Sequence, residues 1–241
     1  IGNAVVSTFV LVHGAWHGSW CWERVVPRLE AAGHTVVAPD LPGHGKDPTP
    51  IADVTLARYT DRICEVLDAQ TEPVALVGHS MGGIVLTAVA EKRPMKIRVL
   101  VYLAAFLTGG ESLSSTMAQE PTSLLADGLK VAPDGASATV REDVVIPAFY
   151  GRCSPKDAAS ALSRLVPQAL QPVGSEISIT MHGAGGLPRV YIECLDDRAV
   201  PLELQRRMVA THPCEAVFSV DADHSPFYSA VDELCETLLQ V

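Results

Sequence analysis

The sequence predicts an α/β fold, a mostly parallel sheet of about six strands with helices on both faces. Two patterns carry that reading. Strand-like apolar runs alternate with helix-like ones from the first residues, as they do when a parallel sheet is covered on each side. One junction between them is Gly78-His79-Ser80-Met81-Gly82, a Gly-x-Ser-x-Gly between a strand-like and a helix-like run. That is the pattern of a nucleophile elbow, a turn so tight that the serine backbone is strained and side chains at the two ends would collide with strand and helix. Its outcome is a serine hydroxyl exposed at a helix N-terminus, where the helix dipole favours negative charge.

Taken in order, Thr8 to Val12 is the first strand. A helix is expected from Trp22 to Ala32, closed by Gly33 as a C-cap glycine. His34 to Ala38 is the next strand, stopped by Pro39, and Leu56 to Ala69 has helical periodicity. Pro73 to Val77 leads into the elbow, and Gly83 to Ala90 forms the helix packed on it. Ile97 to Leu103 is a further strand. Beyond residue 106 the pattern changes. Residues 107–186 carry Gly/Pro breaks, no strong strand and a few short amphipathic helices, such as Pro155 to Leu165. Alternation resumes with the strand Arg189 to Cys194, a helix from Glu203 to Ala210, the strand Ala216 to Val220 and a last helix from Ser229 to Gln240. The chain thus divides into a core, 1–106 with 187–241, and a helical cap, 107–186, inserted over the carboxyl edge of the sheet, where ligands bind in such folds.

With 241 residues and 48% hydrophobic content the chain can bury one large core. A net charge of −10 argues against nucleic acid as a partner. No apolar run is long enough to span a bilayer, so no membrane partner is expected. The first residues lack the basic-then-apolar order of a secretory signal, although a start at Ile1 rather than Met suggests a trimmed terminus. The 6 cysteines, Cys21, Cys64, Cys153, Cys194, Cys214 and Cys235, form no C-x-x-C pair, so neither a metal nor a cofactor is indicated. They read as buried thiols in a chain that needs no disulfide, and a cytoplasmic location is the expectation. A homodimer is left open.

A serine hydroxyl needs a base to take its proton, and the base needs a partner to hold its tautomer. Behind such an elbow the chain order is Ser, acid, His. His224 stands directly after the last strand, where the base belongs. His212 closes a helix before Pro213, and His182 precedes the strand that should carry the acid. The acid should follow Cys194, where Asp196 and Asp197 stand side by side. Neighbours at a strand end point in opposite directions, so only one can face His224; the local pattern leaves the choice open. Asp221 and Asp223 read as turn formers. The oxyanion of acyl transfer needs two backbone N–H donors. Met81, after the nucleophile, supplies one, and Ala15, in the loop after the first strand, supplies the other, with Gly14 permitting a sharp turn. His13 reads as a structural residue holding this loop, and His17, His34, His44, His79 and Asp40 as loop or turn residues.

The segments Leu11 to Trp22 (LVHGAWHGSWCW), Leu29 to His34 (LEAAGH), Gly78 to Gly83 (GHSMGG), Arg189 to Cys194 (RVYIEC) and Ala222-Asp223-His224 resemble the α/β-hydrolase superfamily. Within it they are similar to a group of plant salicylic-acid-binding methylesterases, plant hydroxynitrile lyases and related bacterial esterases, some of which act on pyrethroids. The matches lie in both halves of the core; residues 107–186 match only as a cap of suitable size. In that group the acid lies six residues after the tyrosine of Arg-Val-Tyr, so the resemblance implies Asp197, six beyond Tyr191. It also places the second oxyanion donor on Ala15. The lyases of the group carry a lysine directly after the histidine, to hold departing cyanide, and a threonine before the second oxyanion position. Ser225 and Gly14 stand there instead. The resemblance therefore implies a carboxylesterase that forms an acyl-enzyme through Ser80, His224 and Asp197.

Two other readings share much of this pattern. A fold does not fix a function, so a non-catalytic small-molecule binder is one, though such proteins often lose a triad member and this chain keeps a full set. Hydrolysis of an amide, lactone or thioester is the other. The expected substrate is an apolar or aromatic small-molecule ester. Phe106 and Leu107 are expected to touch it, since they leave a strand beside the elbow. Leu124, Leu125, Phe149, Tyr150, Leu162, Leu165 and Met181 are expected mainly to form the cap's own core. No strongly basic pair stands in the cap, which speaks against a highly anionic substrate.

Overall fold

A computed structural model describes residues 6–241. The core begins with β1 (Thr8–Val12), α1 (Val26–Ala31), β2 (Thr35–Val37), α2 (Leu56–Asp68), β3 (Val74–His79), α3 (Gly82–Lys92) and β4 (Ile97–Leu103). The segment expected to form the cap follows, between β4 and β8, with α4 (Leu113–Ala118), β5 (Leu129–Val131), β6 (Ser137–Val140), α5 (Glu142–Phe149), α6 (Pro155–Leu162), β7 (Gln168–Ala169) and α7 (Leu170–Val173). The core closes with β8 (Arg189–Cys194), α8 (Leu202–Thr211), β9 (Ala216–Val220), α9 (Pro226–Ser229) and α10 (Val231–Leu238). Six strands form one parallel sheet in the order β2-β1-β3-β4-β8-β9.

The central strands are apolar on both faces, and their alternation divides the interior in two. Val10, Val12, Leu76, Leu100 and Tyr102 face the cluster built with Tyr59 and Ile63 of α2, α3 and α8. Phe9, Leu11, Val77, Val101 and Leu103 face the other, with Trp22, Leu29, Phe227 and Leu234. Each such side chain contributes about 1.5–3 kcal/mol by leaving water. A one-residue slip in any of these strands would exchange the two sets, so the register is strongly fixed.

That register aligns the strand ends. Val12 pairs with Gly78, His79 with Leu103, Leu103 with Ile192, and Cys194 with Val220. The loops that leave β1, β3, β4, β8 and β9 therefore open along one carboxyl edge.

Three expectations are corrected. Helix α1 starts at Val26, not Trp22, because Pro27 lies in its first turn. A helix extended backward would set the proline ring against the carbonyl of residue 23. Ser19–Trp22 forms a 3₁₀ turn instead. The last helix, α10, starts at Val231 and not at Ser229, because the Ala230 backbone (φ −148°, ψ 50°) is not helical and Ser229 closes a separate short helix, α9. The cap is not purely helical: β5, β6 and β7 form a three-stranded antiparallel sheet. Its strands hold 3, 4 and 2 residues, too short for alternation to show in sequence. Cys21, Cys64, Cys194 and Cys235 are buried and Cys153 and Cys214 half-buried, all as free thiols. Among the described residues no helix is long and apolar enough to cross a membrane.

Candidate active site

The elbow has the geometry its glycines foretell. A Cβ on Gly78 would stand 2.8 Å from the Gly82 carbonyl oxygen, and one on Gly82 would stand 2.8 Å from that of Val12. Ser80 sits in the left-handed region at φ 55°, a costly conformation for a residue with a side chain. Backbone hydrogen bonds hold it there. Its N–H donates to the Leu103 carbonyl (3.2 Å), and its carbonyl accepts from Gly83 (3.0 Å) and Phe106 (3.1 Å). Ser80 opens on a cavity of about 240 Å³ between the sheet edge and the cap, walled largely by apolar side chains including Phe106, Met117, Leu125 and Leu170.

The Met81 N–H and the Ala15 N–H donate to no other described residue. Met81 is orphaned because it stands just before α3, where helical amides have no partner. Ala15 is oriented by its neighbour. Leu41 N–H donates to His13 Nε2 (3.1 Å), so the ring proton is on Nδ1, which donates to the Gly14 carbonyl (2.9 Å). In a trans peptide the next N–H points away from that carbonyl, which turns the Ala15 amide from His13. Gly14 must lack a side chain, since a Cβ there would lie 2.9 Å from Ser80 Cβ. Ala15 and Met81 both line the cavity with Ser80.

The loops after β8 and β9 are joined by backbone bonds, Leu195 N–H to Val220 (3.1 Å) and Asp196 N–H to Ala222 (2.9 Å). Across them Asp197 Oδ2 lies 2.6 Å from His224 Nδ1, with both side chains buried. The other oxygen, Oδ1, accepts from the Ala199 and Val200 amides at 2.8 Å each. Burial pushes the Asp197 carboxyl above the usual range, and the imidazole and the two amides oppose that push. Asp196 points to solvent, 3.8 Å from Arg198 Nε. Asp223 pins the histidine loop, accepting from Ser225 N–H (3.0 Å), the Ser229 hydroxyl (2.7 Å) and Arg152 N–H (2.8 Å). His79 Nε2–H donates to the His224 carbonyl at 2.7 Å. Among the described residues Ser80 Oγ makes no hydrogen bond. Such contacts are often long before substrate binds.

A sequence model of the alpha/beta hydrolase family matches residues 9–237. The chain belongs to that family. Arabidopsis thaliana Methylesterase 9 is 32% identical over 248 residues, covering 97% of this chain and 97% of that protein. Nicotiana tabacum salicylic acid-binding protein 2 is 35% identical over 254 residues, covering 97% and 96%. A solved pyrethroid hydrolase from Sphingobium faniae JZ-2 superposes with a TM-score of 0.88 at 31% identity, covering 98% of this chain and 97% of that one. This kinship makes the chain a carboxylesterase-type hydrolase.

Of the two substrate contacts expected in the hydrolase, Phe106 lines the cavity and Leu107 does not. Leu107 faces a separate space beside Leu204 and Met208 of α8. Successive residues of an extended segment point to opposite sides, so both could not reach Ser80. Among the described residues, the buried apolar side chains of the cap share clusters with the sheet instead of forming one of their own. Phe149 and Tyr150 join the sheet's second cluster with Trp22 and Phe227, Leu125 lines the cavity, and Met181 is 75% exposed.

The histidines read as loop residues are largely buried. His17 Nδ1–H donates to the Ala15 carbonyl (2.8 Å) and Nε2 accepts from the Tyr150 hydroxyl (2.5 Å). Burial holds the His17 ring neutral, with its pKa lowered to about 3. His44 Nδ1–H donates to the His17 carbonyl (2.7 Å) and Nε2 accepts from Tyr59 (2.9 Å), whose oxygen accepts from Gln168 Nε2 (3.0 Å). This chain ties the loop after β1 to β7 of the cap. Trp16 and Gln168 also line the cavity, and the sequence reading missed both. A polar residue amid the apolar run Leu165 to Leu170 was the signal for Gln168.

Proposed function

We propose that the chain hydrolyses carboxylic esters of small apolar or aromatic molecules through an acyl-enzyme. The observation that carries this is the meeting of the Ser80 hydroxyl with two undonated amides in an apolar cavity. Ser80 Oγ attacks the ester carbonyl carbon and gives its proton to His224 Nε2. Asp197 accepts from His224 Nδ1–H, which keeps Nε2 free to receive that proton and stabilises the imidazolium. The carbonyl oxygen becomes an oxyanion, held by the N–H groups of Ala15 and Met81. His224 then protonates the departing alkoxide, and a water repeats the sequence to release the acid. The names of the plant relatives favour methyl esters as first substrates. A cyanohydrin lyase is disfavoured, because buried Ser225 rather than a cation follows His224.

Burst release of p-nitrophenol from an acyl ester, with active-site titration, tests the proposal. One equivalent of burst per chain is the expected result. Ser80→Ala and His224→Ala should each lower kcat by on the order of 10³ or more, and the double variant should lose little further, because the groups act as a unit. Near-normal ester turnover by folded Ser80→Ala protein would overturn the mechanism.

A further inference from the structure

We infer that the Trp16 indole is the wall that limits how long a substrate the cavity admits; this rests on the esterase reading above. Trp16 lines the 240 Å³ cavity that holds Ser80. It also lines a second cavity, of about 190 Å³, walled by Val140, Val145, Leu162 and Leu165. Among the described residues it is the one lining both. It likewise packs against both hydrophobic clusters, as a side chain standing between them must.

The indole is fixed in this position. Trp16 lies in the left-handed region at φ 63°, where a bulky side chain is an outlier. Such strain persists only where the surroundings over-determine it. Here the Trp16 carbonyl accepts from Val166 N–H (3.0 Å), and the indole Nε1–H donates to the Ala138 carbonyl (2.8 Å). One face of the ring meets Phe149, with centroids 5.7 Å apart. Backbone and side chain are thus both anchored to the cap, and the ring does not swing aside as an exposed one would. An ester chain growing away from Ser80 in this direction meets the indole, with apolar space behind it.

Burying each added methylene raises kcat/KM roughly fourfold. In the wild type that rise should stop where the chain meets Trp16. In Trp16→Ala the cavities join, and the rise should continue for several more methylenes. Leu165→Trp, added to Trp16→Ala, refills the second cavity and should return the optimum toward the wild-type length.

The experiment measures kcat/KM for p-nitrophenyl esters from acetate to laurate and for a parallel series of alkyl benzoates, so that either side of the ester can carry the chain. A shift of the optimum to longer esters in Trp16→Ala, in either series, with reversal in the double variant, supports the wall. An unchanged optimum in both series overturns it, and so does a uniform loss across all lengths. Acetate turnover by the wild type tests the esterase reading separately; its absence, with no other ester cleaved, overturns that reading and the wall together. If Trp16→Ala does not fold, Trp16→Leu carries the same comparison, and an unchanged optimum there overturns the wall.

Discussion

Asp197→Asn isolates the acid from its neighbour with a change of one atom type. The side chain has two distinct ends. Oδ1 accepts from two backbone amides at 2.8 Å, and Oδ2 faces His224 Nδ1 at 2.6 Å. An asparagine has only one oxygen to serve both. Oδ2 also takes a contact from Gln205 Nε2, but at 3.5 Å it is weak, so two short bonds at about 1 kcal/mol each outweigh one and the oxygen stays on the Ala199 and Val200 side. The NH2 then points at Nδ1 and forces that nitrogen to accept. The ring proton moves to Nε2, and His224 has no lone pair left for the Ser80 proton. The wrong tautomer costs about 10⁴-fold in kcat in serine hydrolases of this logic, or about 5.5 kcal/mol of barrier. Asp196 is the control. Its side chain is 47% exposed and its cationic neighbour is 3.8 Å away, so Asp196→Asn should change kcat by less than about twofold. Steady-state turnover of a p-nitrophenyl ester, with circular dichroism to verify folding, reads both. A greater loss in Asp196→Asn, or Asp197→Asn within tenfold of the wild type, would refute this account of the acid.

Two further outcomes are expected. Phe106→Ala should lower kcat/KM for bulky aromatic esters by about tenfold through lost apolar contact, with little effect on small acetates; a panel in which acetates lead and the variant changes nothing refutes the apolar pocket. Glu193 accepts from Arg206 (2.8 Å) and from the Ser219 hydroxyl (2.8 Å), and the Arg206 guanidinium holds its carboxyl below the usual range. A depressed pKa contributes stability that is present above the unfolded value and lost as pH falls through the folded one. Glu193→Gln should therefore lower Tm by about 2–4 °C at pH 7, for a loss near 1 kcal/mol, and the gap should close in acid; a gap that widens in acid refutes the linkage.

Much of the fold was legible because its central strands are buried on both faces. The bounds of β1 and β4 follow from their apolar runs, and those of β8 and β9 from shorter apolar stretches interrupted by Glu193 and Ser219. The elbow was legible because close backbone approach leaves glycine as its mark at Gly78 and Gly82. Asp197 could not be told from Asp196 by strand alternation, since which of two neighbours faces inward depends on how the loop turns. The cap sheet went unread because strands of 3, 4 and 2 residues span at most two repeats of the two-residue alternation. Trp16 and the buried histidines went unread for a different reason. Their partners, Ala138, Tyr150 and Tyr59, lie far along the chain, and no local signal specifies such bonds.

The alignment of strand ends has a consequence for how the enzyme comes into being. The groups proposed to react lie on separate strand exits, from Ala15 to His224, so nearly the whole chain must be made before they can meet. Strand β9 lies at the sheet edge and pairs with β8 alone. On the ribosome, where early segments fold first, the sheet could assemble through β4 while the serine waits without a base. Competence would then appear at one late step, the docking of β9, when the His224 carbonyl meets His79 and the ring meets Asp197. A nascent or clipped chain with most of its core in place would hold a strained serine and no means of using it.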